Sequence, residues 1–167
     1  CDVVQVFNKS SNQWRAKALT DEDIRLFRTA QYENGILAVC SHASYLINIA
    51  APKPDLRAKA VDALAVEMQR CNQLGIPNLV LQPGSHVGSG EEQGLRQVVV
   101  SLKEMFSYLD GNEVTLCLEN TAGQGSNLGY TFDHLASIIE ACPNGKIGVC
   151  LDTCHLFAAG YPLATHG

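Results

Sequence analysis

The chain has 167 residues, 46% hydrophobic and 17% charged, a balance that suits a globular α/β protein with a real core and excludes a disordered segment. No apolar run approaches the roughly 20 residues needed to span a bilayer, and the opening Cys1-Asp2-Val3-Val4 has no basic n-region, so a soluble, cytoplasmic protein with no membrane partner is expected. The net charge of −5 excludes a broad basic surface that holds nucleic acid by phosphate contacts alone, although divalent metals offsetting carboxylates keep a DNA enzyme open.

In chain order, short β-branched or apolar runs alternate with longer segments of helical period, the rhythm of repeated βα units around a parallel sheet. Asp2 to Phe7 reads as a strand. Thr20 to Asn34 reads as a helix with Thr20 as N-cap, acidic residues in its first turn, and an apolar face of Ile24, Leu26 and Phe27. Ile36 to Cys40 follows as a strand. The next helix opens near Pro54, a residue favoured at a first helical position, and runs to Gly75. Its stripe of Leu56, Ala60, Leu64, Met68 and Cys71 has core spacing. Asn78 to Leu81 is a third strand, and Ser89-Gly90-Glu91-Glu92 fits a capping box opening a helix that reaches Leu109. Val114 to Leu118 is the fourth strand, Phe132 to Cys142 a helix, and Ile147 to Leu151 the fifth strand.

The seven cysteines are odd in number and mostly embedded in apolar runs such as Leu116-Cys117-Leu118, which suits buried free thiols rather than a secreted disulfide scaffold. Cys150 and Cys154 have no second pair with which to form a zinc knuckle. No low-complexity linker interrupts the chain, so one domain is expected. It begins without Met and stops at Thr165-His166-Gly167, so both ends read as cut.

Chemistry collects where the strands end. The second strand leads into Ser41-His42, the third into Gln82, the fourth into Glu119-Asn120, and the fifth into Asp152-Thr153-Cys154-His155. In α/β barrels the C-terminal strand ends converge on one face. Their nitrogen and oxygen donors suit zinc or a similar divalent ion, with a carboxylate able to bridge two metals. Spacing alone leaves plain readings open: His42 as a satisfied structural histidine, Asp152 as the cap of the next segment, Glu119 paired with a buried base.

The run Leu118-Glu119-Asn120-Thr121-Ala122-Gly123-Gln124-Gly125-Ser126-Asn127-Leu128-Gly129 closely resembles a signature of the endonuclease IV family. Gly148 to His155 followed by Phe157 to Tyr161, His42 to Asn48, Gln13-Trp14-Arg15 and Pro83 to His86 carry the same resemblance. It implies a (β/α)8 TIM barrel, of which residues 1–167 form a partial domain of about five βα units. The family's first strand and its C-terminal third or more lie outside that span, with the ligands they carry, so these residues alone are expected to be inactive. The resemblance further implies three zinc ions in a complete site and hydrolysis of the phosphodiester 5′ to an abasic site in double-stranded DNA, leaving a 3′-hydroxyl. His42 belongs by resemblance to the first metal, Glu119 bridges the first and second as the central catalytic residue, Asp152 binds the second and His155 the third. Tyr45 and Leu46 match residues that insert into the opened duplex, a wedge of aromatic and apolar groups. The complete protein is expected to be a monomer.

Two positions depart from the family pattern. Gln82 stands where a histidine usually precedes Pro-Gly-Ser, and an amide oxygen is a weaker zinc donor than imidazole; His86 is the substitute within reach, otherwise a loop histidine. Asn12 stands where an arginine often probes the DNA stack. His134 and His166 read as solvent-exposed, and the loop from Ala122 to Gly129 as a site wall or as a tight turn needing positive φ. Two other readings compete: a xylose-isomerase-like sugar isomerase or epimerase holding one metal through Glu119 and Asp152, and an inactive fragment that keeps partial metal binding.

Overall fold

The computed structural model describes residues 1–163, so His166 lies outside the described residues. Five strands, β1 (Val3–Val6), β2 (Ala38–His42), β3 (Asn78–Leu81), β4 (Thr115–Glu119) and β5 (Ile147–Cys150), pair in parallel in the order β1-β2-β3-β4-β5. Helices α1 (Asp21–Glu33), α2 (Pro54–Leu74), α3 (Glu91–Ser107), α4 (Phe132–Ala141) and α5 (Thr153–Ala158) follow the strands one by one. Consecutive parallel neighbours joined by helices make the wall of a TIM barrel, five of whose eight βα units are present.

The core lies between sheet and helices. Leu79 and Leu81 of β3 and Leu116 and Leu118 of β4 are buried with Leu64 and Met68 of α2, Val98, Leu102 and Met105 of α3, and Ile138 of α4. Strand side chains alternate, so Thr115, Cys117 and Glu119 take the opposite face of β4. The stripe on α2 is core at Ala60, Leu64, Met68 and Cys71, but Leu56 is half exposed on the first turn. On α1, Leu26 is 51% exposed while Ile24 and Phe27 pack on the core. Leu26 stands two residues from Ile24, and residues so spaced do not share a helix face.

Boundaries moved for identifiable reasons. Thr20 caps α1 in a capping box with Asp23. At the other end Gly35 N–H donates to Tyr32 O and Ile36 N–H to Gln31 O, a Schellman closure. Ile36 is thereby used in ending the helix, and β2 starts two residues later than the apolar run, at Ala38. It extends to His42, making that residue the last of its strand. Ser89 does not cap α3: the N-cap is Gly90 at φ 93°, and the Ser89 hydroxyl donates to His86 O. The imidazole of His86 takes over instead, Nδ1 accepting the Gly90 N–H at 3.2 Å.

Candidate metal centre

Glu119 ends β4, buried, with its carboxylate between a group from the end of β2 and one from α5. Oε2 lies 3.3 Å from His42 Nε2, and Oε1 lies 3.9 Å from His155 Nδ1. His42 Nδ1 stands 2.7 Å from Ala43 O, which assigns its proton to Nδ1 because a carbonyl only accepts. Nε2 then presents a lone pair to a carboxylate oxygen. Two acceptors in contact need a proton or a cation between them, and this is where the residues fit a metal. Burial disfavours the imidazolium of His42, but the Glu119 and Ala43 hydrogen bonds and the charges of Glu119 and Glu67 outweigh it, raising its pKa above the ordinary value.

Asp152 follows β5 as N-cap of α5, one oxygen accepting the His155 N–H at 2.9 Å and the other lying 3.7 Å from His155 Nδ1. The capping reading of Asp152 and its place beside His155 are therefore both realised. Ligand atoms of Glu119, Asp152 and His155 lie within 4.8 Å of one another, the one such group found among the described residues. Asn120 locks the cluster: its amide accepts the Asp152 N–H at 2.7 Å and donates to Asp152 O at 3.0 Å, and its own carbonyl sits 2.9 Å from His155 Nδ1. That contact leaves Nε2 of His155 as the nitrogen free to accept a cation, the orientation that a carbonyl gives a histidine in metal sites.

Gln82 follows β3 and lines, with His42, Tyr45, Asn48, Ser85 and Asn127, a cleft of about 220 Å³ that meets the Glu119 cluster through His42. His86, committed to the α3 N-terminus, is not in this lining. Tyr45 and Leu46 form a turn after β2. The Tyr45 ring is 67% exposed yet packs edge-on against Phe7 at 5.4 Å and tilts against His42 at 5.5 Å; Leu46 is half-buried. Asn12 is exposed in the turn between β1 and α1.

The loop from Ala122 to Gly129 forms the far wall. Asn48 exchanges two hydrogen bonds with the Ser85 backbone, the Ser85 and Ser126 hydroxyls meet at 2.6 Å, and Leu128 N–H donates to Gly84 O. His134 belongs to this wall and is not solvent-exposed. It is 7% exposed, because its position in the first turn of α4 turns the ring back over the loop. Nδ1 accepts the Gly129 N–H at 3.2 Å, and Nε2 lies 3.2 Å from Glu91.

The cysteines do not extend the centre. Cys71 and Cys142 are buried, Cys40, Cys117 and Cys150 half-buried, and Cys1 and Cys154 exposed. No cysteine joins the group of ligand atoms formed by Glu119, Asp152 and His155 among the described residues. Sequence reasoning passed over Asn120, Asn48 and Glu67; the one signal it offered was Asn120 and Asn48 standing within the runs that resemble the family.

A family model described as xylose isomerase-like TIM barrel matches residues 1–165. The probable endonuclease 4 of Citrifermentans bemidjiense is 48% identical over 165 residues, covering 98% of this chain and 58% of that protein. That of Chloroflexus aurantiacus is 47% identical over 163 residues, covering 97% and 57%. The chain thus spans somewhat over half the length of these curated relatives. Among solved structures, endonuclease IV from Thermus thermophilus superposes with a TM-score of 0.77 at 33% identity, over 96% of this chain and 56% of that one. A D-psicose 3-epimerase superposes equally well, 0.77 over 95% and 56%, but at 15% identity, a likeness of fold alone. With the family model covering nearly all of the described strands and helices, the chain belongs to the xylose isomerase-like TIM barrel family, where endonuclease IV sequences are among its relatives.

Proposed function

We propose that this chain is part of a zinc-dependent DNA repair nuclease that hydrolyses the phosphodiester 5′ to abasic sites in double-stranded DNA and leaves a 3′-hydroxyl. The observation that carries this reading is the Glu119 carboxylate, one oxygen toward His42 and the other toward His155. The names and identity of the relatives support it further.

The donor set is nitrogen and oxygen, the set zinc accepts. His42, Gln82 and Glu119 would hold one ion, Glu119 and Asp152 a second, and His155 a third, with the remaining ligands from elsewhere in a complete barrel. Bound there, the metals would supply Lewis-acid stabilisation of charge on the phosphate oxygens. Glu119 and Asp152 would separate and neutralise the cations, and Asn120 fixes Asp152 and His155 in place. Tyr45, Leu46 and Asn12 face the opened duplex. We further propose that the complete protein works in the cytoplasm as a monomer, as expected of a DNA repair nuclease. No helix among the described residues is long and apolar enough to cross a membrane.

The test is incision of a duplex carrying one abasic analogue by a complete barrel containing this segment, before and after chelation and zinc return. Cleavage on the 5′ side, lost on chelation and restored by zinc, is expected. Epimerisation of a ketose with no incision would favour the sugar-epimerase reading, which at present has only the fold behind it.

A further inference from the structure

Beneath the Tyr45 turn, making no hydrogen bond to the candidate metal ligands, lies a buried ion pair. Glu67 projects from the middle of α2 with its side chain 1% exposed, and Lys9, whose side chain is 4% exposed, brings Nζ to 3.2 Å from Oε1. Burying two charges is costly unless each is paired and its remaining valences are filled. Here the other hydrogen bonds of both side chains go to two loops. Lys9 Nζ donates to Gln13 O at 2.7 Å and Ser10 O at 3.4 Å, closing the turn that carries Asn12. Both Glu67 oxygens accept the Ser44 N–H, at 3.2 and 3.3 Å, just before Tyr45. Ser44 joins the two loops: its hydroxyl donates to Ser11 O at 2.6 Å and accepts the Leu46 N–H at 3.3 Å. From the next turn of α2, Arg70 donates twice to Asn8 O and once to Lys17 O.

We infer that Glu67, paired with Lys9, is a positioning residue that couples the loop carrying Asn12 to the loop carrying Tyr45 and Leu46, so that they meet a duplex as one preset edge. The coupling stands on the geometry alone; that the edge serves abasic DNA rests on the function proposed above. A bound duplex orders whatever loop is not already ordered, and that cost falls on affinity. Glu67 makes no hydrogen bond to His42, Glu119, Asp152 or His155 and reaches His42 only through its charge, so the bonds it makes serve the two loops that meet the substrate.

The experiment uses a complete barrel containing this segment, with Glu67→Gln and the charge-free pair Lys9→Met/Glu67→Met, which removes the burden of an unpaired buried charge and so keeps a folded protein to measure. Amide hydrogen exchange should rise about tenfold in residues 8–13 and 43–46 together and stay unchanged in α4 and β5. Zinc content should be unchanged. With abasic duplex, KM should rise about tenfold while kcat stays within about twofold. Faster exchange in only one of the two loops, or evenly through the fold, overturns the coupling. Exchange that rises in both loops with KM unchanged overturns the role in duplex binding. If the unsubstituted protein does not incise, the proposed function falls, and the exchange data still decide the coupling.

Discussion

Oε2 of Glu119 lies 3.3 Å from Nε2 of His42, a contact between residues 77 positions apart in the chain. The other imidazole nitrogen is held by the Ala43 carbonyl, so the pair has room for a cation where its two acceptors meet. Asp152 and His155 stand on the far side of the same carboxylate, and one side chain therefore faces two places where positive charge is wanted.

Glu119→Gln preserves shape but removes a negative charge and one strong donor. Losing even an outer-shell partner of a metal ligand typically costs about 10–100-fold in metal affinity or activity, so losing the carboxylate that faces both positions in a complete barrel should lower incision by about 100-fold or more, with reduced zinc. Tyr45→Ala should keep full zinc and weaken abasic-duplex binding instead. Zinc analysis and incision rates on both variants check this; full zinc and near-normal incision in Glu119→Gln would end the bridging assignment.

Gln82 shares the cleft wall with His42. Replacing its amide oxygen by imidazole in Gln82→His should tighten zinc at the first position by about tenfold, following the ligand preference of the metal. Competition with a chromogenic chelator reads this directly. Unchanged affinity would remove Gln82 from the ligand set, and since His86 is committed to Gly90, would leave His42 and Glu119 to be completed by a ligand from outside these strands.

The periodicity of the chain carried the βα order, because strand and helix periods differ and each run was long enough to show one of them. The ends of elements were less legible. Ile36 is apolar and β-branched, yet it is spent closing α1, and nothing in its type says so. His42, Glu119, Asp152 and His155 were readable because barrel strands deliver their last residues to one face. Asn120 and His134 were not, since their roles depend on backbone groups brought beside them by the fold: Asp152 and Gly129. Glu67 was hidden inside a helix whose neighbours read as plain core, and only its partner Lys9, far away in sequence, explains a buried carboxylate there.

Glu91 accepts the Tyr130 hydroxyl at 2.6 Å and faces His134, and the Tyr130 hydrogen bond, followed by His134, holds its pKa below the usual value. A depressed carboxylate contributes stability above its unfolded pKa and loses it as pH falls through the folded value. Thermal midpoints of a complete barrel and its Glu91→Gln variant should therefore differ at neutral pH and converge as pH drops below the ordinary glutamate range of about 4.3. A difference independent of pH would show that the charge of Glu91 does not hold the wall.

Gly84 is where the three-loop wall is tightest. Its φ is 109°, and a Cβ there would stand 2.4 Å from Asn48 Oδ1 and 3.3 Å from Ala50, inside the hydrogen bonds by which Asn48 holds Ser85. Gly84→Ala thus meets two penalties: left-handed backbone strain of about 1–2 kcal/mol and overpacking of about 1–3 kcal/mol. Gly88, at φ 86° in the same loop with open space around it, separates them, because Gly88→Ala carries the strain alone. Urea denaturation of both variants should show Gly84→Ala the more destabilised by about 1 kcal/mol or more. In an Asn48→Ala background the obstructing oxygen is gone, so the excess should shrink to what Ala50 imposes, a coupling that a double-mutant cycle isolates. If Gly84→Ala instead costs no more than Gly88→Ala, the Asn48 side chain swings away without loss. The wall formed by Asn48, Ser85 and Ser126 would then be a loose contact rather than a fixed boundary of the cleft beside His42.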